Sequence, residues 1–229
     1  MRSPKLKFLC YAQDRGVIPP PYPARKFVPE WFKDLKPKVG GDNKLENSTI
    51  KRCPPFLDAL TAGWIIPLAA DVEFVTNGDA SGVTYKWHYY RPMVENHTAA
   101  QVEGHESLPK PPMKFLNYWA IKAPPGYSVL FVPPLNRPDP RFQCLSGLVD
   151  CDRYLEFVNF PFFFHEANFT GVIKQGTPLV QAIPIRRDAL LKGYTADVFC
   201  ARELQDLELT RRKRQAHESH YRDHCWVHK

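Results

Sequence analysis

The chain has no CxxC pair, no apolar run near the ~20 residues needed to cross a bilayer, and no secretory signal at its start. Its six cysteines (Cys10, Cys53, Cys144, Cys151, Cys200, Cys225) are scattered. These absences predict a soluble, cytoplasmic protein with reduced thiols and no membrane partner. In that setting the sequons at Asn47, Asn96 and Asn168 carry no glycosylation meaning. Glycine is scarce too, with 12 residues against 23 prolines. Proline at about twice its usual ~5% disfavours long helices and central strands, and favours short strands, edges and ordered connections. No P-loop, G-x-S-x-G elbow, GxGxxG turn or H-E-x-x-H helix is present, so those enzyme classes lose their main sequence support. Nor is there an internal repeat or a low-complexity tract.

What is there is ordinary for a folded protein. At 229 residues, 44% hydrophobic and 24% charged, the chain can bury one sizeable core, and wholesale disorder is excluded. The net charge of +7 is concentrated in two places. Residues 1–38 carry Arg2, Lys5, Lys7, Arg15, Arg25, Lys26, Lys33, Lys36 and Lys38 against three acids, and the C-terminal region carries Arg211-Arg212-Lys213-Arg214. A basic tetrad of this kind reads first as a solvated helix face, which makes nucleic acid the less favoured partner.

The order of patterns predicts a single, mainly β domain with extensions: an N-terminal arm with a short helix over 1–48, a β-rich core over 49–188 and a helical tail over 189–229. In the arm, V-I-P-P-P-Y-P-A fixes an extended, polyproline-like path, and Pro29-Glu30-Trp31-Phe32 starts a short helix. Residues 39–48 read as a loop. Pro54-Pro55 opens a helical turn that Gly63 ends. Strands are expected at 6–11, 64–68, 72–75, 83–90, 115–122, 129–132, 155–158 and 179–185. The alternation of Tyr85, Trp87 and Tyr89 with Lys86, His88 and Tyr90 puts three aromatics on one face. After Leu190-Leu191, Leu204 and Leu207 give a thin apolar stripe on a mostly solvated helix, which Tyr221 and Trp226 should dock.

Four constellations could carry chemistry. In the acidic turn Asp150-Cys151-Asp152, two same-side carboxylates could hold a hard cation or raise one pKa for base catalysis, though both could equally cap a turn. His97 and His105, with Gln101, Glu103 and Glu106, would suit an open-sided iron or other transition-metal site on a β scaffold. His217, His220, His224 and His228 recur three and four apart, as ligands on one helix face would. Arg137, with Asp139 and Arg141 nearby, could fork a carboxylate or phosphate, or pair with its aspartate neighbours.

The segments P-P-G-Y-S-V-L-F-V-P-P-L-N-R, G-L-V-D-C-D-R-Y, V-N-F-P and I-K-Q-G-T-P-L-V-Q-A-I-P resemble an uncharacterised domain family of tailed phages and bacterial gene clusters. In their order (a Pro-Gly-Tyr turn, a G-[VL]-[VI]-D-x-D turn, a strand-ending Asn159 and an I-x-x-G-x-x-x-x-Q strand) they also resemble the β-clip fold of dUTPases and dCTP deaminases. That second resemblance implies a water-holding role for Asp150 and a sugar-packing role for Tyr154, which Arg153 shifts by one residue. The chain departs from the pattern where V-P-P-L-N-R replaces the P-R-S serine motif, and it has no glycine-rich C-terminal phosphate motif. Those departures argue against a working dUTPase and leave a shared strand order.

The expectation is therefore a β-clip or jelly-roll-like barrel. Its function would be that of a small-molecule enzyme, metal-dependent and oxygenase-like or a diverged nucleotide hydrolase, or of a ligand-binding protein. Its pocket would draw on His97, Gln101, His105, Arg137, Asp150, Asp152, Tyr154 and Asn159. The competing expectation is a non-catalytic module that assembles as a homo-oligomer through its arms.

Overall fold

The computed structural model describes residues 5–40, 48–190, 193, 195–217 and 219–227. Arg2, most of the loop read at 39–48 (41–47, with Asn47), Leu191 and His228 lie outside the described residues. The chain divides into two compact units, one of the described residues through Phe27 with Leu60–Ala189, the other of Val28–Ala59 with the described residues from 190 onward.

The first unit is mainly β. Its strands are β1 (Lys7–Leu9), β2 (Tyr22–Pro23), β3 (Trp64–Pro67), β4 (Val72–Thr76), β5 (Val83–Trp87), β6 (Val94–Asn96) and β7 (Met113–Phe115). They continue as β8 (Ala120–Lys122), β9 (Tyr127–Val132), β10 (Phe142–Cys144), β11 (Gly147–Val149), β12 (Phe160–Phe164), β13 (Thr170–Ile173) and β14 (Pro178–Arg186). They form antiparallel sheets in the orders β1-β8, β10-β12-β7-β6, β11-β9-β14-β3-β2 and β13-β4-β5. The short strands are what the proline content requires. In β5 the alternation holds residue by residue, with Val83, Tyr85 and Trp87 half-buried and Thr84 and Lys86 exposed. On the outer face Lys86 pairs with Glu73 across the ladder at 2.8 Å.

The strand expected over 83–90 stops at Trp87. Two others are broken or displaced, and two asparagines account for both. The run at 115–122 is broken because buried Asn117 bonds locally: its Nδ2 donates to Trp119 O at 2.7 Å and its Oδ1 accepts from Trp119 N at 3.0 Å. Side-chain bonds of this kind compete with the ladder. Asn159 Oδ1 then accepts Asn117 N–H at 3.1 Å, so 155–158 contributes only an isolated bridge from Phe157 to Ala120, and the strand forms later as β12.

β12 carries much of the core. Phe160, Phe162, Phe163 and Phe164 are all buried, and Phe162 stacks on Phe115 with ring centroids 3.8 Å apart. Phe74 lies 5.0 Å from Phe164, and Phe131 lies 5.6 Å from Phe160, so aromatic rings tie three sheets into one cluster. Each fully buried Phe contributes roughly 2 kcal/mol from area removed from water.

The arm up to Phe27 is built into this unit. β1 pairs with β8 and β2 with β3, and Asp14, with no exposure at all, anchors the segment between them. Asp14 Oδ1 accepts from the hydroxyls of Tyr89, at 3.1 Å, and Tyr90, while Oδ2 lies 3.0 Å from Arg91 Nη1. The Arg91 guanidinium sits over Tyr11, Tyr90 and Tyr118, between 4.8 and 5.2 Å from their centroids. Burial pushes the Tyr118 hydroxyl up to about 12 and the Tyr89 hydroxyl higher still, so both stay protonated at neutral pH.

The second unit is helical: α1 (Glu30–Asp34), α2 (Pro54–Thr61, whose last residues belong to the first unit) and α3 (Ala201–Ala216). Phe32 stacks on Phe56 at 5.5 Å, and Lys51 Nζ donates to Phe32 O and Lys33 O. Trp226 Nε1 donates to Asp58 Oδ2 at 2.9 Å, while Tyr221 stays 46% exposed. α3 begins with Glu203 Oε2 accepting Cys200 N–H, a capping contact, and none of its residues is buried. Among the described residues no helix is long and apolar enough to cross a membrane.

Two substitutions test these constraints. Gly63 has φ +64° and a Cβ there would stand 2.1 Å from Ala182 O, so Gly63→Ala should cost at least about 2 kcal/mol in denaturant unfolding. Asp14→Asn leaves Arg91 among the rings without a countercharge and should cost about 3 kcal/mol; a cost under about 1 kcal/mol would mean that the ion pair is dispensable.

Candidate functional site

The acidic turn is assembled by strand register. β9 pairs with β11 through Val129 and Val149 and with β14 through Ser128 and Ile185, which sets Asp150, Ser128 and Arg187 side by side. Ser128 Oγ donates to Asp150 Oδ1 at 2.5 Å. Arg187 grips Asp152 with two parallel bonds, Nη1 to Oδ1 at 2.8 Å and Nη2 to Oδ2 at 2.6 Å, and Nη1 also reaches Asp150 Oδ1 at 3.3 Å. Gly126 N–H donates to Asp152 Oδ2 at 2.8 Å.

Both oxygens of Asp152 are thus occupied, and its side chain is only 6% exposed. The Arg187 hydrogen bonds hold its carboxyl well below the usual carboxylate range, with Gly126 N–H adding to the effect. Such a group is a fixed negative charge and a poor proton acceptor. Asp150 is different: it is 56% exposed, and its Oδ2 makes no hydrogen bond among the described residues. Between them, burial and then the two aspartates push the Cys151 thiol up to about 11, so it stays protonated and unreactive at neutral pH.

A second site forms where sequence reading gave only scattered polar residues. A cavity of about 340 Å³ is lined by His97 and Gln101 from the β6–β7 connection, Asn159 before β12, Phe131 of β9, and Gly147 and Val149 of β11. Among the described residues no Lys, Arg, Asp or Glu lines it. Its polar atoms can be assigned by elimination. A backbone N–H can only donate, so the Gln101 atom that Thr98 N–H meets at 3.1 Å is the amide oxygen. That oxygen also lies 2.7 Å from His97 Nδ1, which must therefore carry the proton. In the neutral ring Nε2 is then a bare acceptor, and it is shut off from solvent with no partner among the described residues. By the same reasoning Asn159 turns its oxygen to Asn117 N–H, and its NH₂ group makes no hydrogen bond among the described residues.

The structure therefore brings together His97, Gln101 and Asn159 in one place and Asp150 with Asp152 in another. His105 joins neither: it stacks on Phe163 at 4.8 Å, and its Nδ1 accepts Ser107 N–H. Arg137 donates to the carbonyls of Phe27 and Leu60, the latter at 2.8 Å, and burial lowers its pKa. Tyr154 is 52% exposed, its N–H donating to Asp150 O. Asp139 is held by Arg141 in a two-bond pair. In the tail the rings of His217 and His220 lie 5.5 and 5.0 Å from that of His224, and His217 Nε2 contacts Asp223 Oδ2 at 2.9 Å. Among the described residues no group of three or more His, Cys, Asp or Glu side chains is gathered as a metal ion requires, so the geometry lends the iron expectation no support. Arg211 through Arg214 are exposed along the last turns of α3, where cations favour the helix C-terminus.

Ser146, Gly147 and Phe160 are cavity residues that sequence reading missed. The one available signal was the unusual run Phe160–Phe164, a five-residue apolar strand directly after Asn159.

No family model and no curated protein matches the chain. Among solved structures it is similar to a dUTPase of Staphylococcus bacteriophage 80alpha with dUpNHpp, at 11% identity over 87% of this chain and 89% of that one, with a TM-score of 0.36. A likeness at that level carries no argument about this protein.

The clamp on Asp152 has a pH signature. A carboxyl whose pKa falls on folding stabilises the fold above its unfolded value, and the gain is lost progressively below about pH 4. Asp152→Asn should therefore lower the melting temperature most at neutral pH, with the gap to the parent closing as pH drops below about 4; a gap that is constant with pH would refute the clamp.

Proposed function

We propose that this protein binds a small organic molecule in the cavity lined by His97, Gln101 and Asn159. One observation carries this reading: polar residues from two segments some sixty positions apart converge on a cavity of about 340 Å³, and one of them, Asn159, has an NH₂ group that makes no hydrogen bond among the described residues. The volume falls in the range of about 300–1,000 Å³ for small-molecule sites, and an apolar wall with a few convergent polar groups is their usual lining. Phe131, Phe160 and Val149 supply the wall. Gln101 also acts as a positioning residue: it closes the turn Ala99–Val102 as the partner of Thr98 in a capping box and orients the His97 ring through Nδ1.

The fold offers a way to fill the cavity without disturbing its frame. Gly147 and Val149 lie two apart on β11, so they face the same side, and both line the cavity, while Leu148 between them is 49% exposed. A Cβ added at Gly147 would meet nothing within 4 Å. Gly147→Leu should therefore project a side chain into the cavity and leave the melting temperature unchanged or higher. The check is a fragment set of neutral and charged small molecules observed by ligand NMR. Fragments that bind the parent protein should lose their signal with Gly147→Leu; if none binds the parent, or if the hits bind both forms equally, the cavity is not a ligand site.

A further inference from the structure

We propose that β11 is a docking edge for a second copy of this chain: the two β11 strands pair antiparallel with Leu148 at the two-fold axis, and the two sheets become one. Strand register decides which backbone groups are open there. Arg187 N–H donates to Gly126 O, a bond that continues the register of β9 with β14. Hydrogen-bonded pairs alternate along an antiparallel ladder, so Ser128, Leu130 and Val132 bond to β14, and Tyr127, Val129 and Phe131 turn to β11. Val129 faces Val149 and Phe131 faces Gly147, so β11 spends the backbone of Gly147 and Val149 on β9. The N–H and C=O of Leu148 therefore point outward, and neither makes a hydrogen bond among the described residues. Ser146, Leu148 and Asp150, which alternate along this edge, are all exposed.

The other edge of the same sheet is closed. Ala24 N–H donates to Gly63 O, so by the same alternation Tyr22 bonds to β3 and Pro23 takes the outward position, where it has no N–H to offer. Natural sheets defend their edges with proline, charge or a bulge, and Gly147-Leu148-Val149 has neither proline nor charge. The register also brings an apolar row to this edge. Ile183 of β14, Leu130 of β9 and Leu148 of β11 are successive partners on one face, the first two half-buried and Leu148 49% exposed. An extended peptide of any sequence would meet the backbone groups, whereas a second copy meets them and carries the row onward through the partner's Leu148 and the partner's Leu130. Its strand gives two reciprocal bonds between the Leu148 residues at the axis and, on either side, Asp150 N–H to the partner's Ser146 O. The same pairing sets the partner's Val149 opposite Gly147, on the face where the cavity lies.

A strand this short makes a weak dimer, so the test is the mass of the full chain in sedimentation equilibrium across concentration. Dimer should dominate at about 1 mM and monomer at about 1 µM. Leu148→Lys places two like charges at the axis and should keep the protein monomeric at about 1 mM, with the melting temperature of the dilute protein unchanged because the side chain is exposed. Val75→Lys is the control: Val75, on β4 of another sheet, is 47% exposed, and its loss should leave the dimer intact. The Leu148 amide gives a second readout by NMR, exchanging with solvent about tenfold more slowly in the concentrated parent than in the dilute one. A parent that stays monomeric at about 1 mM overturns the proposal, as does a dimer that survives Leu148→Lys. A dimer lost equally in both variants shows general apolar adhesion, and one that leaves Leu148 exchange unchanged uses another surface; either result also overturns it.

Discussion

A carboxylate with no access to water must be met by the protein on every side, and Asp14 is that group in the first unit. Its partners are three consecutive residues, Tyr89, Tyr90 and Arg91, and Arg91 is in turn enclosed by Tyr11 and Tyr118. The requirement acts on two parts of the chain about seventy-five residues apart. It binds the proline-rich arm to the segment that leads from β5 into β6, and β6 ends at the residue before His97. The position of one cavity residue thus depends, through a short stretch of backbone, on a charge that has to be neutralised elsewhere.

Arginine is used in the same way throughout the first unit. Arg91 answers Asp14, Arg137 caps two backbone carbonyls, Arg141 forks Asp139 and Arg187 forks Asp152. Arg91, Arg137 and Arg187 each join segments that are distant in sequence, while Arg141 fixes its own turn against Asp139 two residues away. A planar guanidinium suits this because it satisfies several acceptors at fixed angles and cannot be deprotonated. With these four cations committed inward, the basic character left at the surface sits in places such as the last turns of α3, where the helix dipole already accounts for it.

How much of this was legible in the sequence varies with the physics involved. Period-two alternation is a local property, so the inward face of β5 could be read residue by residue, as could the helix at Pro54 and its end at Gly63. The mainly β class followed from the same runs and from proline. Apart from the local Asn117–Trp119 bonds that break the run at 115–122, the failures lie where a side chain meets a partner distant in sequence. Nothing local says that Asn159 turns its oxygen to the Asn117 N–H, yet that bond shifts a strand from 155–158 to Phe160–Phe164. Asp14 is one of three acids in residues 1–38, and only the fold supplies Tyr89 and Tyr90 to it. His97 and Gln101 could be listed as polar residues in a loop, but the partner that completes their cavity, Asn159, comes from another sheet connection. For His97 and His105, which sequence spacing had suggested as metal ligands together, a stacking contact with Phe163 takes one of them away.

The two candidate sites can be told apart by asking which groups still have unspent hydrogen-bonding capacity. In the acidic turn most of it is spent. Asp152 has both oxygens filled, Ser128 gives its proton to Asp150, and Arg187 is shared between the two carboxylates, which leaves one exposed oxygen of Asp150 in contact with water. Water already satisfies that oxygen, so a ligand gains little by replacing it. In the cavity the arithmetic is reversed. The Asn159 NH₂ makes no hydrogen bond among the described residues, and Phe131, Phe160 and Val149 offer an apolar wall whose contact with water a small molecule would replace. A turn whose hydrogen bonds are mostly spent holds strands in register, and a cavity with an apolar wall and an uncommitted amide is where a small molecule has contacts to gain.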